Sequence, residues 1–175
     1  VVIAQEVDIN YAASVEGVLI PSAWVEASID SHIKLNIEPS GDRIGALDVA
    51  DEGKDKNSFA GRHGIVLQYL ESWSGKGDDI FGTTQKTMDL CIQDDYGLCY
   101  YDSDGLGAGV RGDARVINER QREIGGVEIN VEPFRGSASV HDPDGEMVEE
   151  RKNKDFFANL KAQSWWSLRI RFQNT

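Results

Sequence analysis

Two apolar runs in this chain close on an aspartate. "GALDVADEGKDKNSF" carries Asp48 at the end of a short apolar segment, and "LCYYDSDG" carries Asp102 at the end of another. A carboxylate that interrupts a buried-strand pattern either meets water at the strand end or is put to use. Two carboxylates brought within a few ångströms repel unless one takes up a proton or a cation sits between them. Mg²⁺ and Mn²⁺ suit such all-oxygen sites and keep positions open for water and phosphate oxygens. A pair of these ions roughly 4 Å apart can activate a water and stabilise the leaving oxygen of a phosphodiester. Asp48 and Asp102 therefore point to phosphoryl-transfer chemistry, provided the fold sets the two strand ends side by side. Asp51 and Asp55 could reach the same centre, although a solvated loop explains them equally well. Asp104 is an alternative to Asp102, but the turn at Gly105 favours an outward direction.

The elements that must position these acids follow from the patterning. "PSAWVEASIDSHIKL" reads as one helix, with Pro21 in its first turn and Val25, Ile29, His32 and Ile33 on one face; His32 reads as a face residue, not a ligand. A strand from Arg43 to Asp51 and a polar loop come next, then a hairpin of "SFAGRH" and "IVLQYLESW" about Gly64. "DDIFGTTQKTMDLCIQDDYG" predicts a helix, with Asp78 and Asp79 at its positive end and a stripe of Ile80, Thr84, Thr87, Met88, Cys91 and Ile92. "LCYYD" predicts a short buried strand, Ala108 to Glu123 a helix, and "VEINVEPF" a last strand. Arg135 to Lys154 is turn-rich; its "DPDGE" lacks the spacing of a calcium loop and reads as a turn. "KDFFANLKAQSWWSLRIRF" predicts one long helix with Phe157, Leu160, Ser164, Leu168 and Phe172 along a side, and with Trp165 and Trp166 on different faces. Three strands in antiparallel succession, followed by βαβαβ units, give an α/β fold with a mixed sheet flanked by helices. That is the order of ribonuclease H-like folds, in which the first and fourth strands are neighbours.

Bulk properties narrow the class. A chain of 175 residues is ordinarily one domain with a sizeable core, and no apolar run approaches the length of a membrane span. The opening "VVIAQEV" has neither Met nor a secretion signal, and reads as a piece cut from a longer protein. A net charge of −12 argues against a basic nucleic-acid coat. It does not argue against an enzyme whose acids hold metal ions, because bound cations invert the local electrostatics. Cys91 and Cys99 lack ligand spacing and read as reduced structural thiols.

The glycines offer a rival reading. Gly107, Gly109 and Gly112 match GxGxxG between a strand and a helix, with Glu132 near the next strand end, as in dinucleotide-binding domains. Asp102 and Asp104, however, stand where a pyrophosphate would lie, and the preceding three-strand meander is foreign to that plan. Close helix packing accounts for the glycines more simply.

Taken in order, "ALDVADEGKDKNSF", "YYDSDGLGAGVRG" and "NLKAQSWWSLRIRF" resemble the C-terminal nuclease domain of the large terminase subunit of tailed double-stranded DNA bacteriophages. The lead-in "EVDINYAASVEGVLIPSAWVEASIDSHIKL" resembles the segment that joins this domain to its ATPase motor. The resemblance implies a lead-in over residues 1–40, with a helix packing on the core, and a ribonuclease H-like nuclease domain over 41–175 lacking its C-terminal end. It implies an endonuclease using Mg²⁺ or Mn²⁺, with Asp48 and Asp102 as ligands and a third aspartate expected beyond Thr175, so that weak metal binding and weak or no cutting are expected of the chain as given. The implied partners are double-stranded DNA, the portal protein, the small terminase subunit and the packaging ATPase of the same polypeptide, all in the host cytoplasm. Candidate DNA-backbone contacts are Arg62, His63, Lys76, Arg111, Arg115, Arg135 and Lys161. A non-catalytic module docking DNA or the portal is the alternative.

Overall fold

The computed structural model describes residues 18–50, 55–75, 79–104 and 106–174. Asp51, Lys76, Asp78 and the first seventeen residues of the lead-in fall outside them. The chain divides into two compact units, one spanning Pro39–Gly136 and the other joining Val1–Glu38 to Ser137–Thr175.

The first unit is built on a five-stranded sheet. Its strands are β1 (Arg43–Asp48), β2 (Lys56–His63), β3 (Val66–Ser74), β4 (Leu98–Asp102) and β5 (Asn130–Phe134), in the spatial order β3-β2-β1-β4-β5. β1, β2 and β3 pair antiparallel, whereas β4 runs parallel to β1, and β5 parallel to β4. The first and fourth strands are neighbours, as the element order predicts.

Strand alternation divides the side chains between two faces. Leu47, Phe59, Cys99 and Tyr101 point to one face, where all are buried. Two helices belonging to this unit follow, Ile80–Gln93 and Val110–Glu123, and they supply Met88, Cys91, Ala114 and Ile117 to a common core with Phe59, Tyr96 and Cys99. The cross-strand pair Gly45 and Gly61 makes room for this packing. A Cβ on Gly45 would come 2.8 Å from the Phe59 ring, and one on Gly61 would come 2.4 Å from Tyr96. The stripe expected on the first of these helices is the observed one at Thr84, Thr87, Met88 and Cys91, all buried. Its N-cap is Asp79, whose carboxylate accepts from the Gly82 N–H at 2.7 Å. On the opposite face, Leu70 is 67% exposed and Tyr100 39% exposed, so β4 is half-buried and not enclosed on both sides as expected.

Cys91 and Cys99 are free thiols buried in the common core. The hydrogen bond that the Cys99 thiol donates to Cys91, together with burial, pushes that thiol well above its usual range.

The second unit contains α1 (Ser22–Ser28), α2 (Ser31–Lys34) and, after the two helices above (α3, Ile80–Gln93; α4, Val110–Glu123), α5 (Asn153–Phe156) and α6 (Leu160–Gln173). Two helices expected to be continuous are broken here. The first is interrupted before α2, where Asp30 adopts a left-handed conformation at φ 56°. Aspartate is among the few residues other than glycine that visit that region routinely. Val25, Ile29 and Ile33 are consequently exposed and do not form a buried stripe.

The last helix is interrupted at Phe157, which is extended at ψ 131°. Its ring is buried in a cluster with Phe156 and Trp166, and Asn159 restarts the helix by accepting from the Ala162 N–H. Trp165 is exposed on the other side, and Leu168 does not join a buried stripe. The buried residue of α6 is Gln163, whose amide accepts from the His141 N–H at 2.7 Å and donates to the His141 carbonyl at 2.9 Å. α1 lies against α6, where the Arg169 guanidinium sits over the rings of Trp24 and Trp166 and donates to the Leu19 carbonyl. The "DPDGE" segment is a turn as expected, with Asp144 paired to Lys152 and Lys154.

One ion pair ties β3 to α3. Glu71 accepts from Lys86 at 2.7 Å and from the Tyr69 hydroxyl at 2.6 Å, and Lys86 also lies over the Trp73 ring. The Lys86 ammonium, with the Tyr69 hydroxyl, holds the Glu71 carboxyl below its usual value. A carboxyl depressed in the folded state adds stability above its unfolded pKa, and that contribution is lost as pH falls through the folded value. Urea titrations of Lys86→Met and wild type should differ near neutral pH and converge in acid. A gap that stays constant below about pH 3, past the ordinary carboxylate range, would show that Lys86 acts only through packing.

Candidate metal centre

The two predicted acids leave the sheet at the same edge. The parallel ladder pairs Ile44 with Leu98, Gly45 with Cys99, Ala46 with Tyr100 and Leu47 with Tyr101. One further residue on each strand brings Asp48 opposite Asp102. Neighbouring strands are about 4.8 Å apart, and in-register residues of parallel strands share a face. Asp48 and Asp102 are therefore adjacent on the face opposite the helix-covered core. Asp48 is exposed and Asp102 half-buried.

Local sequence sets the directions of the two strands here. After Asp48, β1 parts from β2, and the Ala50 N–H turns to the side chain of Asn57 at 2.9 Å. After Asp102, the Ser103 N–H and hydroxyl both donate to the Phe134 carbonyl, which extends the β4–β5 contact by one residue. The Asp104 N–H donates to Asp102 Oδ1 at 2.9 Å, an Asx turn that orients the Asp102 carboxylate. Asp104 itself is exposed. Asp55 precedes β2 at this edge and is also exposed.

The basic candidates separate by place. Arg135 follows Phe134, the residue paired with Asp102, and Arg111 lies in the first turn of α4, the helix entered from β4. Both are exposed; Arg135 continues the strand beside Asp102, and Arg111 follows β4 on a helix of the covered face. Arg115 lies one turn further along α4, 3.8 Å from Glu119. Arg62 and His63 close β2 at the other end, since Arg43 pairs with His63 while Asp48 pairs with Ser58. Five residues of antiparallel strand at about 3.4 Å each put that end about 17 Å from Asp48. Arg62 donates there to the Gly64 carbonyl. Lys161 is exposed on α6, in the other compact unit.

The glycines of the rival motif have a packing explanation. A Cβ on Gly107 would lie 1.7 Å from the Asp102 carbonyl oxygen, so the 3₁₀ turn Leu106–Gly109 passes directly over the end of β4. Gly109 packs against Ile80, and Gly112 has open space around it. The antiparallel half of the sheet also departs from a doubly wound dinucleotide fold. Among the described residues, no group of three or more His, Cys, Asp or Glu side chains is arranged to hold a metal ion. The chemistry of the donor set nevertheless fits a hard dication, with two adjacent carboxylates and space for water and phosphate oxygens to complete the shell.

Comparison with known structures agrees with this topology. The nuclease domain of the large terminase subunit of bacterial virus Sf6 superposes with a TM-score of 0.75 at 30% identity, over 89% of this chain. By fold and sequence, this chain is similar to a phage large-terminase nuclease domain. A variant of the Sf6 domain solved with manganese and β-thujaplicinol gives a TM-score of 0.75 at 31% identity, and one with calcium gives 0.74 at 31%. This chain spans 64% of the length of each. No protein-family profile matches the sequence, and no curated protein matches it. The terminase-like fold is thus ribonuclease H-like, a mixed five-stranded sheet flanked by helices.

Asn57 was not among the residues singled out from sequence. In the sequence it reads as the end of the polar loop, just before the expected strand, whereas β2 begins at Lys56 and takes it in. Within this terminase-like fold, Gly107→Ala should lower stability by about 1–3 kcal/mol, because the turn must lift from β4. Gly112→Ala, with nothing to meet, should be neutral or gain about 0.5 kcal/mol from helix propensity. Equal losses at both positions in urea titrations would count against the packing explanation.

Proposed function

We propose that this chain is the metal-dependent endonuclease domain of a viral DNA-packaging terminase, cutting concatemeric double-stranded DNA into genome lengths. The observation that carries the reading is the β1–β4 register, which supports Asp48 and Asp102 as neighbouring carboxylates at one sheet edge. In this reading the two aspartates hold Mg²⁺ or Mn²⁺, in a pair. When bound, the ions supply Lewis-acid polarisation of the phosphate and a water acidified for in-line attack. The protein contributes the positions. Asp104 N–H holds one oxygen of Asp102, so that carboxylate is oriented in advance. Asp51 and Asp55 assist from the loop after β1, and Asp104 is an alternative ligand.

Arg111 and Arg135 are the basic residues best placed to meet the phosphates flanking the scissile bond. Arg115, Arg62 and His63 are contacts further along the DNA, and Lys161 and Lys76 are additional candidates for backbone contact. A few cations beside a carboxylate pair concentrate positive potential despite the overall negative charge. Residues 1–40 serve as the lead-in and 41–175 as the nuclease domain. The portal, the small terminase subunit and the packaging ATPase of the same polypeptide are its partners in the host cytoplasm. No helix among the described residues is long and apolar enough to cross a membrane.

A second reading is a non-catalytic module that docks DNA or the portal. It is favoured by the absence of a three-membered ligand group among the described residues. Plasmid nicking with Mn²⁺ separates the two. The nuclease reading expects wild type to nick supercoiled DNA and Asp48→Asn or Asp102→Asn to lose at least about 100-fold, the scale of removing a principal electrostatic contributor. Equal nicking by wild type and both variants would reject the assignment of these aspartates. DNA retention without nicking by any of them would favour the docking module.

A further inference from the structure

The regular ladder between β1 and β2 ends at Asp48 and Ser58. The next pair would set Val49 opposite Asn57, but β1 has already turned away. The Ala50 N–H instead donates to Asn57 Oδ1 at 2.9 Å, and Asn57 Nδ2 donates to Thr83 Oγ1 at 3.1 Å. Asn57 is 1% exposed and Thr83 3% exposed. A side-chain amide thus takes the place of a backbone partner and links the exit of β1 to the first turn of α3. Burying an amide in a core is costly unless both of its ends are satisfied, and here both are. Thr83 is itself held by the helix, through its N–H to the Asp79 carbonyl and its carbonyl to the Thr87 hydroxyl.

Asp48 belongs to the last ladder pair and Ala50, two residues on, carries this bond, so the backbone leaving Asp48 is held at both ends. Asn57 points to the helix-covered face, away from the Asp48 carboxylate, and can act on that group only through the backbone. We infer that Asn57 is a positioning residue for the candidate metal centre, setting the aim of the Asp48 carboxylate by clamping Ala50. The inference rests on the metal-centre reading above. A residue that orients a metal ligand typically changes metal affinity by about 10–100-fold when removed.

The test compares Mn²⁺ binding by the 175-residue chain, followed by calorimetry and by the electron paramagnetic resonance of free Mn²⁺. Asn57→Leu removes the clamp on Ala50. Thr83→Val removes only the lower bond and leaves the clamp in place. Both should lower the melting temperature, but Asn57→Leu should weaken Mn²⁺ binding by about 10-fold or more while Thr83→Val stays within about twofold of wild type. Should Asn57→Leu fail to fold, Asn57→Ser, too short to span to Ala50, replaces it in the same comparison. Wild-type affinity in the Asn57 variant overturns the inference, as do equal losses in both variants, which would mean general softening of the core. A wild-type chain that takes up no Mn²⁺ overturns the metal-centre reading and this inference with it.

Discussion

Everything at the acidic edge depends on β1 being hydrogen-bonded on both sides, antiparallel to β2 and parallel to β4. A one-residue slip of the β1–β4 ladder would turn one aspartate toward the core face and leave the other behind. That slip is opposed from the covered face. Gly45 and Gly61 leave space for Phe59 and Tyr96, and any shift would bring a side chain into it. The register is therefore enforced by packing on the face opposite the carboxylates. Stability and the candidate chemistry share one strand and divide its two sides.

The edge is also finished by local devices. Asx hydrogen bonding follows β4, a buried amide follows β1, and a glycine lets the 3₁₀ turn pass over the β4 carbonyl. The first two replace a backbone partner that the sheet ceases to provide, and the third allows a close approach. The frame is shared with the Sf6 terminase nuclease domain, which superposes over 89% of this chain.

Much of the frame was legible in the sequence because it rests on local period. Alternation around Gly64 marked the hairpin, and the spacing of Thr84, Thr87, Met88 and Cys91 marked α3. The breaks were not legible. Asp30 in the left-handed region and Phe157 in extended conformation stop helices whose periodicity continues across them, and at Phe157 aromatic packing outweighs propensity. At the candidate site, the adjacency of Asp48 and Asp102 could be reasoned from element order. The separation of Arg62 and His63 from them could not be seen until strand direction assigned each end of β2. Asn57 escaped notice for a different reason: it read as the end of a polar loop, and its role shows only once β2 begins at Lys56 and the neighbouring helix supplies Thr83.

The two buried thiols give this architecture an intrinsic clock. Cys91 belongs to α3 and Cys99 to β4, and neither can meet a solvent-borne alkylating reagent while the helix rests on the sheet. With the thiolate of Cys99 strongly disfavoured in place, its modification must wait for that layer to separate. Alkylation rates would then measure how often the helical layer lifts from beneath the aspartates, with no label added to either surface.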